Sequence, residues 1–218
     1  MSEWDKMQDL KDRLALYLVT DERDDWDSLL SICQHALRGG AGAVQLRRKH
    51  DSGRSLVELG RALRKLTAAY HALYFVNDRV DVALATDADG VHIGQEDMSL
   101  LDARRILGQK IIGVSATTLD EALRAANDGA DYLGVGAVFS TPSKEDAKIT
   151  GLPEFRAIAG AVRSCPVVAI GGIDQSNAGA VLEAGADGLA VVSAVMSAAN
   201  PEEAARLLRL HVETLRRR

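Results

Sequence analysis

Two aspartates near the middle of the chain have the type and spacing for metal chemistry. They lie in the segment 75–97, FVNDRVDVALATDADGVHIGQED. Asp78 follows the apolar run Leu73-Tyr74-Phe75-Val76, and Asp97 follows the shorter run Val91-His92-Ile93. Each acid therefore stands just past the C-terminal end of an expected strand. If those strands are parallel neighbours, both carboxylates open onto one face of the sheet. Two hard oxygen ligands without a dedicated cage suit Mg²⁺, which proteins commonly hold with one or two carboxylates plus substrate phosphates. Taken singly, either acid reads as a cap of the helix that follows. The residues around them favour the metal.

The segment Gln45-Leu46-Arg47-Arg48-Lys49 alternates along a strand, so Gln45, Arg47 and Lys49 share one face and Arg48 points away. An Arg and a Lys beside Mg²⁺ would hold a polyphosphate, one as a fork and the other as a point charge. Gly171-Gly172 and Val192-Ser193 follow two later strands, where backbone N–H groups can cradle an anion. Thr141-Pro142-Ser143-Lys144 lies in the longest loop, 139–151, as expected of a lid or binding loop. His92 falls within a strand and reads as a structural histidine. No Ser-His-Asp order, nucleophilic Cys or zinc spacing is present, so nothing supports covalent catalysis.

These residues need a frame that brings strand ends together. Strands are expected at 14–19, 43–47, 73–76, 91–93, 110–115, 132–138, 166–170 and 188–192. Helices are expected at 26–37, 56–70, 80–85, 100–107, 119–127, 153–162, 176–184 and 201–216. The turns Asp128-Gly129-Ala130-Asp131 and Glu183-Ala184-Gly185-Ala186-Asp187 repeat, with glycine supplying the left-handed residue after a helix. Eight alternating units of about 27 residues predict one (β/α)₈ TIM barrel over residues 1–218, with its site at the C-terminal strand ends. A doubly wound open sheet is the alternative; the regular units and short loops favour closure.

With 218 residues, 47% of them hydrophobic, the chain can bury a large core, and at 4% aromatics that core must rest on aliphatic side chains. A net charge of -5, with no basic block except Arg216-Arg217-Arg218, speaks against nucleic acid. No apolar run is long enough for a membrane span, and the polar, acidic start MSEWDKMQDLKDR does not resemble a signal peptide. Cys33 and Cys165 show no metal or redox spacing and fit reduced thiols of a cytoplasmic protein. A homodimer is one assembly open to such a barrel; the sequence does not fix the oligomeric state.

Taken in order, the chain resembles the thiamine-phosphate synthase family. The matching pieces are Tyr17-Leu18-Val19-Thr20-Asp21, Gln45-Leu46-Arg47-Arg48-Lys49, Asn77-Asp78-Arg79-Val80-Asp81-Val82-Ala83-Leu84-Ala85 and His92-Ile93-Gly94-Gln95-Glu96-Asp97. Gly113-Val114-Ser115, Thr141-Pro142-Ser143-Lys144, Gly171-Gly172-Ile173 and Val191-Val192-Ser193 continue the match. The resemblance implies a Mg²⁺-dependent transferase that joins (4-amino-2-methylpyrimidin-5-yl)methyl diphosphate to a thiazole phosphate, releasing diphosphate. With a 2-carboxylated thiazole, CO₂ would leave too.

It also implies that Gln45 orients the pyrimidine, that Arg47, Lys49, Asn77, Ser115 and Lys144 act on it or its diphosphate, and that Asp78 and Asp97 hold Mg²⁺. Among these, Arg47, Lys49, Lys144 and Ser115 are the expected catalytic residues. Thr141, Ser143, Gly172, Val192 and Ser193 would hold the thiazole phosphate end, and Leu46, Arg48 and Pro142 are substrate-site positions of the same motifs. Ser143 stands where the family commonly has a second Thr, which keeps the hydroxyl and loses a methyl. Two rivals are a thiazole tautomerase on the same barrel, which would not need the diphosphate set, and a non-catalytic phosphate-binding barrel.

Overall fold

The computed structural model describes residues 3–141 and 149–216. Eight strands, β1 Leu16–Val19, β2 Ala43–Leu46, β3 Leu73–Asn77, β4 Gly90–Ile93, β5 Ile111–Ala116, β6 Tyr132–Val135, β7 Val167–Ile170 and β8 Gly188–Val191, form a closed parallel barrel in sequence order. Closure is made by β1 against β8, with Leu16 beside Leu189 and Leu18 beside Val191. The helices are α1 Glu3–Arg13, α2 Trp26–Arg38, α3 Gly53–Ala69, α4 Val80–Ala85, α5 Leu100–Leu107, α6 Leu119–Asn127, α7 Gly151–Ala161, α8 Ala178–Glu183, α9 Ser193–Met196 and α10 Pro201–Arg216. Among the described residues no helix is long and apolar enough to cross a membrane.

Four of the helices that follow strands start on side-chain caps. Asp25, Ser52, Ser99 and Thr118 accept N–H bonds at the starts of α2, α3, α5 and α6, and Thr118 forms a reciprocal capping box with Glu121. Two helices lie outside the sequence expectation. In α1, Leu10 packs against the barrel interior beside Leu14 and closes the N-terminal end. The helix turns Asp5, Asp9 and Asp12 to solvent. The short α9 begins directly after β8, where an expected strand residue, Val192, instead turns the chain.

The apolar side chains form two cores. The larger lies between barrel and helices and is built mainly from Leu, Val, Ile and Ala, with Tyr74 and Phe155 among them. The smaller fills the barrel interior and holds Tyr17, Phe75 and Tyr132, whose ring centroids lie 5.3–6.0 Å apart. Three of the nine aromatics thus meet as a floor inside the barrel. Gly113 makes room for it, since a Cβ there would stand 2.1 Å from the Tyr132 ring.

At the N-terminal end of the barrel the repeated aspartates tie adjacent strands. Asp89, Asp131 and Asp187 accept the backbone N–H of Tyr74 (2.8 Å), Ile112 (2.7 Å) and Val167 (2.9 Å). They pair with Arg64, Arg104 and Lys11 respectively.

Candidate active site at the barrel mouth

A cavity of about 210 Å³ opens at the C-terminal strand ends. Alternation along β2 and beyond it sends Gln45, Arg47 and Lys49 into this cavity. Thr20 clamps the strand end, its hydroxyl accepting the Arg47 N–H at 2.9 Å. Leu46 and Arg48 are not brought to the cavity. Leu46 is buried in the outer core. Arg48 turns to Asp51 in a two-pronged ion pair, Nε to Oδ2 at 2.8 Å and Nη2 to Oδ1 at 2.9 Å, and also donates to the Arg23 carbonyl. Asn77, Asp78, Asp97, Ser115, Thr141, Gly172, Val192 and Ser193 all line the cavity. Pro142, Ser143 and Lys144 lie outside the described residues.

Neither acid is a helix cap. Helix α5 is capped by Ser99, and α4 starts at Arg79 without any side-chain cap bond. Asp78 has φ 61°, in the left-handed region that non-glycine residues rarely adopt, and its N–H donates to the His92 carbonyl at 2.8 Å. The Asp97 carboxylate accepts the Gly94 N–H at 2.8 Å, which holds it beside Asp78. Burial, and then the hydrogen bonding and charge of Asp97, push Asp78 up to about 6, while Lys49 and Arg47 pull the other way. Two carboxylates at such range repel each other unless a proton or cation lies between them. Among the described residues no cluster of three or more His, Cys, Asp and Glu could hold a metal. The donor set is therefore two carboxylates open to solvent on one side, which fits an octahedral cation that keeps its waters and takes further ligands from a phosphate.

The opposite side of the mouth is made of backbone. Gly171 and Gly172 both have positive φ, 98° and 64°. A Cβ on Gly172 would stand 2.5 Å from the Ser140 carbonyl oxygen, so only glycine lets the turn after β7 pack beneath the 139–141 segment. Ser193 opens α9 beside it.

The floor is polar in a way that no local sequence pattern indicates. Gln45 Nε2 donates to the Tyr17 hydroxyl at 2.7 Å, and the Tyr17 and Tyr132 hydroxyls are 3.0 Å apart. Tyr132 meets His92 Nδ1 at 3.0 Å, and His92 Nε2 meets Ser115 Oγ at 2.9 Å. Burial pushes His92 down to about 4, so the imidazole is neutral, and burial raises both tyrosines. His92 is thus structural, as its position within a strand indicates. A signal for Tyr17 does exist: a tyrosine inside an otherwise apolar strand needs a partner for its hydroxyl.

The profile of a family described as thiamine monophosphate synthase matches residues 16–195. The chain is 50% identical over 204 residues to a thiamine-phosphate synthase of Pyrococcus furiosus, covering 94% of this chain and 97% of that one. It is 51% identical over 212 residues to the thiamine-phosphate synthase of Moorella thermoacetica, covering 96% of each. Among solved structures it superposes on a thiamine phosphate pyrophosphorylase from P. furiosus with a TM-score of 0.87 at 48% identity, covering 94% of this chain and 98% of that one.

Proposed function

The chain belongs to the thiamine monophosphate synthase family of transferases, and on that basis we propose that its barrel mouth joins (4-amino-2-methylpyrimidin-5-yl)methyl diphosphate to 4-methyl-5-(2-phosphoethyl)thiazole. The products are thiamine phosphate and diphosphate, with CO₂ as well when the thiazole carries a 2-carboxylate. The observation that carries this reading is the pairing of two carboxylates and two cations on one side of a cavity with a glycine turn on the other. One side suits a departing diphosphate and the other a phosphate that stays bound.

Asp78 and Asp97 would hold Mg²⁺, which when bound supplies positive charge to the diphosphate oxygens. Arg47 and Lys49 add fixed charge that gains strength as the bond to carbon breaks, and Lys144 is assigned to the same group. Ser115, Asn77 and Gln45 position the pyrimidine. Its amino group stabilises positive charge on the exocyclic carbon, so the protein needs no nucleophile of its own. Gly172, Val192, Ser193, Thr141 and Ser143 hold the thiazole phosphate and aim the ring nitrogen at that carbon.

Diphosphate release in a mixture of both substrates with Mg²⁺ tests the proposal. Release with either substrate omitted at the rate of the full mixture, or full activity in excess chelator, would sink it. Gly172→Val tests the division of the mouth. Calorimetry should show thiazole phosphate binding weakened tenfold or more, about 1.4 kcal/mol, and the pyrimidine diphosphate changed by less than about threefold. Loss of the pyrimidine ligand instead would reverse the assignment of the two sides.

A further inference from the structure

Asn177 stands at the cap position of α8 but does not cap it, for its side chain makes no bond to the helix start. It turns back into the loop after β7 instead. Asn177 Nδ2 donates to the Gly172 carbonyl at 2.8 Å, and Asn177 Oδ1 accepts the Asp174 N–H at 3.0 Å. Both partners are backbone groups of fixed polarity, so the amide has one orientation; flipped, it would set oxygen against oxygen and N–H against N–H. The turn into α8 has its own bonds. The Asp174 carboxylate accepts the Ser176 N–H at 2.8 Å and the Ser176 hydroxyl at 2.6 Å, and the Asp174 carbonyl accepts the Ala178 N–H at 2.9 Å. The bond from Asn177 to Gly172 therefore serves the glycine turn. The Gly171 carbonyl accepts the Phe139 N–H at 3.1 Å and the Gly172 carbonyl is taken by Asn177, and neither Phe139 nor Asn177 lines the cavity. Both carbonyls of the turn are thus held outside the mouth. A trans peptide sets its N–H opposite to its carbonyl, so the Ile173 N–H is directed away from Asn177. Among the described residues the N–H groups of Gly172 and Ile173 donate to no protein group, and both residues line the cavity.

We propose that Asn177 is a positioning residue for the phosphate side of the mouth: by holding the Gly172 carbonyl outside, it presents the Gly172 and Ile173 N–H groups to the phosphate of the thiazole. This rests on the assignment of that side to the thiazole phosphate made above. Close packing beneath the 139–141 segment fixes the Gly172 α-carbon, but not the plane of the peptide that follows it. Gly172, at φ 64°, has no side chain to resist rotation of that peptide. Without Asn177 the peptide can turn its oxygen toward the anion, and the site exchanges a donor for an acceptor. Asn177 itself stays outside the cavity and acts only through the backbone.

Asn177→Ala removes both bonds without adding charge, and Asn177→Asp keeps the acceptor for Asp174 but loses the donor to Gly172. Each should raise Kd and KM for the thiazole phosphate by about tenfold or more, keep kcat at saturation within about threefold, and leave calorimetric binding of the pyrimidine diphosphate with Mg²⁺ within about twofold. Ser176→Ala loosens the same loop but leaves Gly172 held, so it should move neither affinity by more than about twofold. Backbone ¹H–¹⁵N spectra of the wild type give a reading independent of the variants. Thiazole phosphate should shift the Gly172 and Ile173 amide protons downfield, and the pyrimidine diphosphate should not. No shift of either amide with thiazole phosphate overturns the proposal whether or not the variants fold. Wild-type affinities in both Asn177 variants, with Gly172→Val still weakening the thiazole phosphate, overturn the positioning role and leave the site assignment standing. Amides that move with the pyrimidine diphosphate and not with the thiazole phosphate overturn the assignment, and the proposal falls with it. A parallel loss of both ligands in Asn177→Ala, or an equal loss of thiazole phosphate in Ser176→Ala, also overturns the proposal, since the loop would then matter only as structure.

Discussion

The two ends of this barrel use the same residue in opposite ways. At the N-terminal end, Asp89, Asp131 and Asp187 each accept a strand N–H and pair with a cation. Each negative charge is met by donors, and together they bind neighbouring strands. At the C-terminal end, Asp78 and Asp97 are placed against each other, and Asp78 is pushed up to about 6 by burial and by Asp97. The cations Arg47 and Lys49 line the same cavity without closing an ion pair on either acid at contact distance. Carboxylates satisfied by the fold serve the fold; carboxylates left facing each other are poised for a ligand. The contrast separates the acids that tie the strands from the two proposed to bind the metal.

The sharpest way to break the contrast is to neutralise the upper pair. Asp78→Asn and Asp97→Asn should each lower kcat by about a thousandfold or more, with circular dichroism unchanged, and Mg²⁺ should no longer restore activity after chelation. That loss exceeds the roughly 10²–10³ typical of one electrostatic donor because each acid would be half of the proposed metal site. Arg47→Ala comes next, with about 10²–10³ lost, or about 3–4 kcal/mol, mainly in kcat. An unchanged kcat with a raised KM for thiazole phosphate would put Arg47 on the other substrate.

Breaking the lower end should do the reverse. Asp131→Ala strips an acceptor from the Ile112 N–H and a partner from Arg104, 2.6 Å away. A buried donor left unmet costs about 1–3 kcal/mol. At about 2–4 °C of Tm per kcal/mol for a chain of this size, thermal unfolding should move down by several degrees. Turnover at 25 °C should stay within about twofold. A Tm equal to the wild type, or a hundredfold loss of kcat, would erase the distinction between the two ends.

The upper acids are legible in the sequence because each directly follows a short apolar run, so strand period and position identify them. Arg47 and Lys49 are legible by alternation, and the same alternation places Arg48 outside the cavity although the motif carries it. The helices 80–85, 100–107, 119–127 and 201–216 match the structure residue for residue; α5 and α6 are bounded by the Ser99 and Thr118 caps and by the glycines Gly108 and Gly129 that follow. Helix α1 escapes a sequence reading because its charged face dominates the composition while only Leu10 and its neighbours reach the core. The role of the repeated Asp131 and Asp187 is hidden too. Their turn is readable, but the N–H groups they accept lie on the neighbouring strand, 19 and 20 residues away. The floor is hidden for the same reason: its bonds run between residues 17, 45, 92, 115 and 132, and no local pattern records them.

The smallest expected effect sharpens the comparison most, because it runs against the usual sign of a mutation. Asp78 has a folded value of about 6 against an ordinary 3.8, a raised carboxyl. Its contribution to stability is therefore fully present below about pH 4 and is lost as pH rises through 6, where the native state must hold the charge against Asp97. A rise of that size corresponds to about 3 kcal/mol at full strength. Asp78 is only half-buried and solvent screens the pair, so about 1 kcal/mol is expected. Removing the charge should return that amount. In chelator at pH 7.5, Asp78→Asn should melt about 2–4 °C above the wild type. At pH 4, where the wild-type carboxyl is protonated, the two curves should coincide. Excess Mg²⁺ at pH 7.5 should raise the wild type and leave Asp78→Asn nearly unmoved. A metal-free wild type that melts above the variant at pH 7.5 would mean that the upper acids are already satisfied by the fold, as the lower ones are.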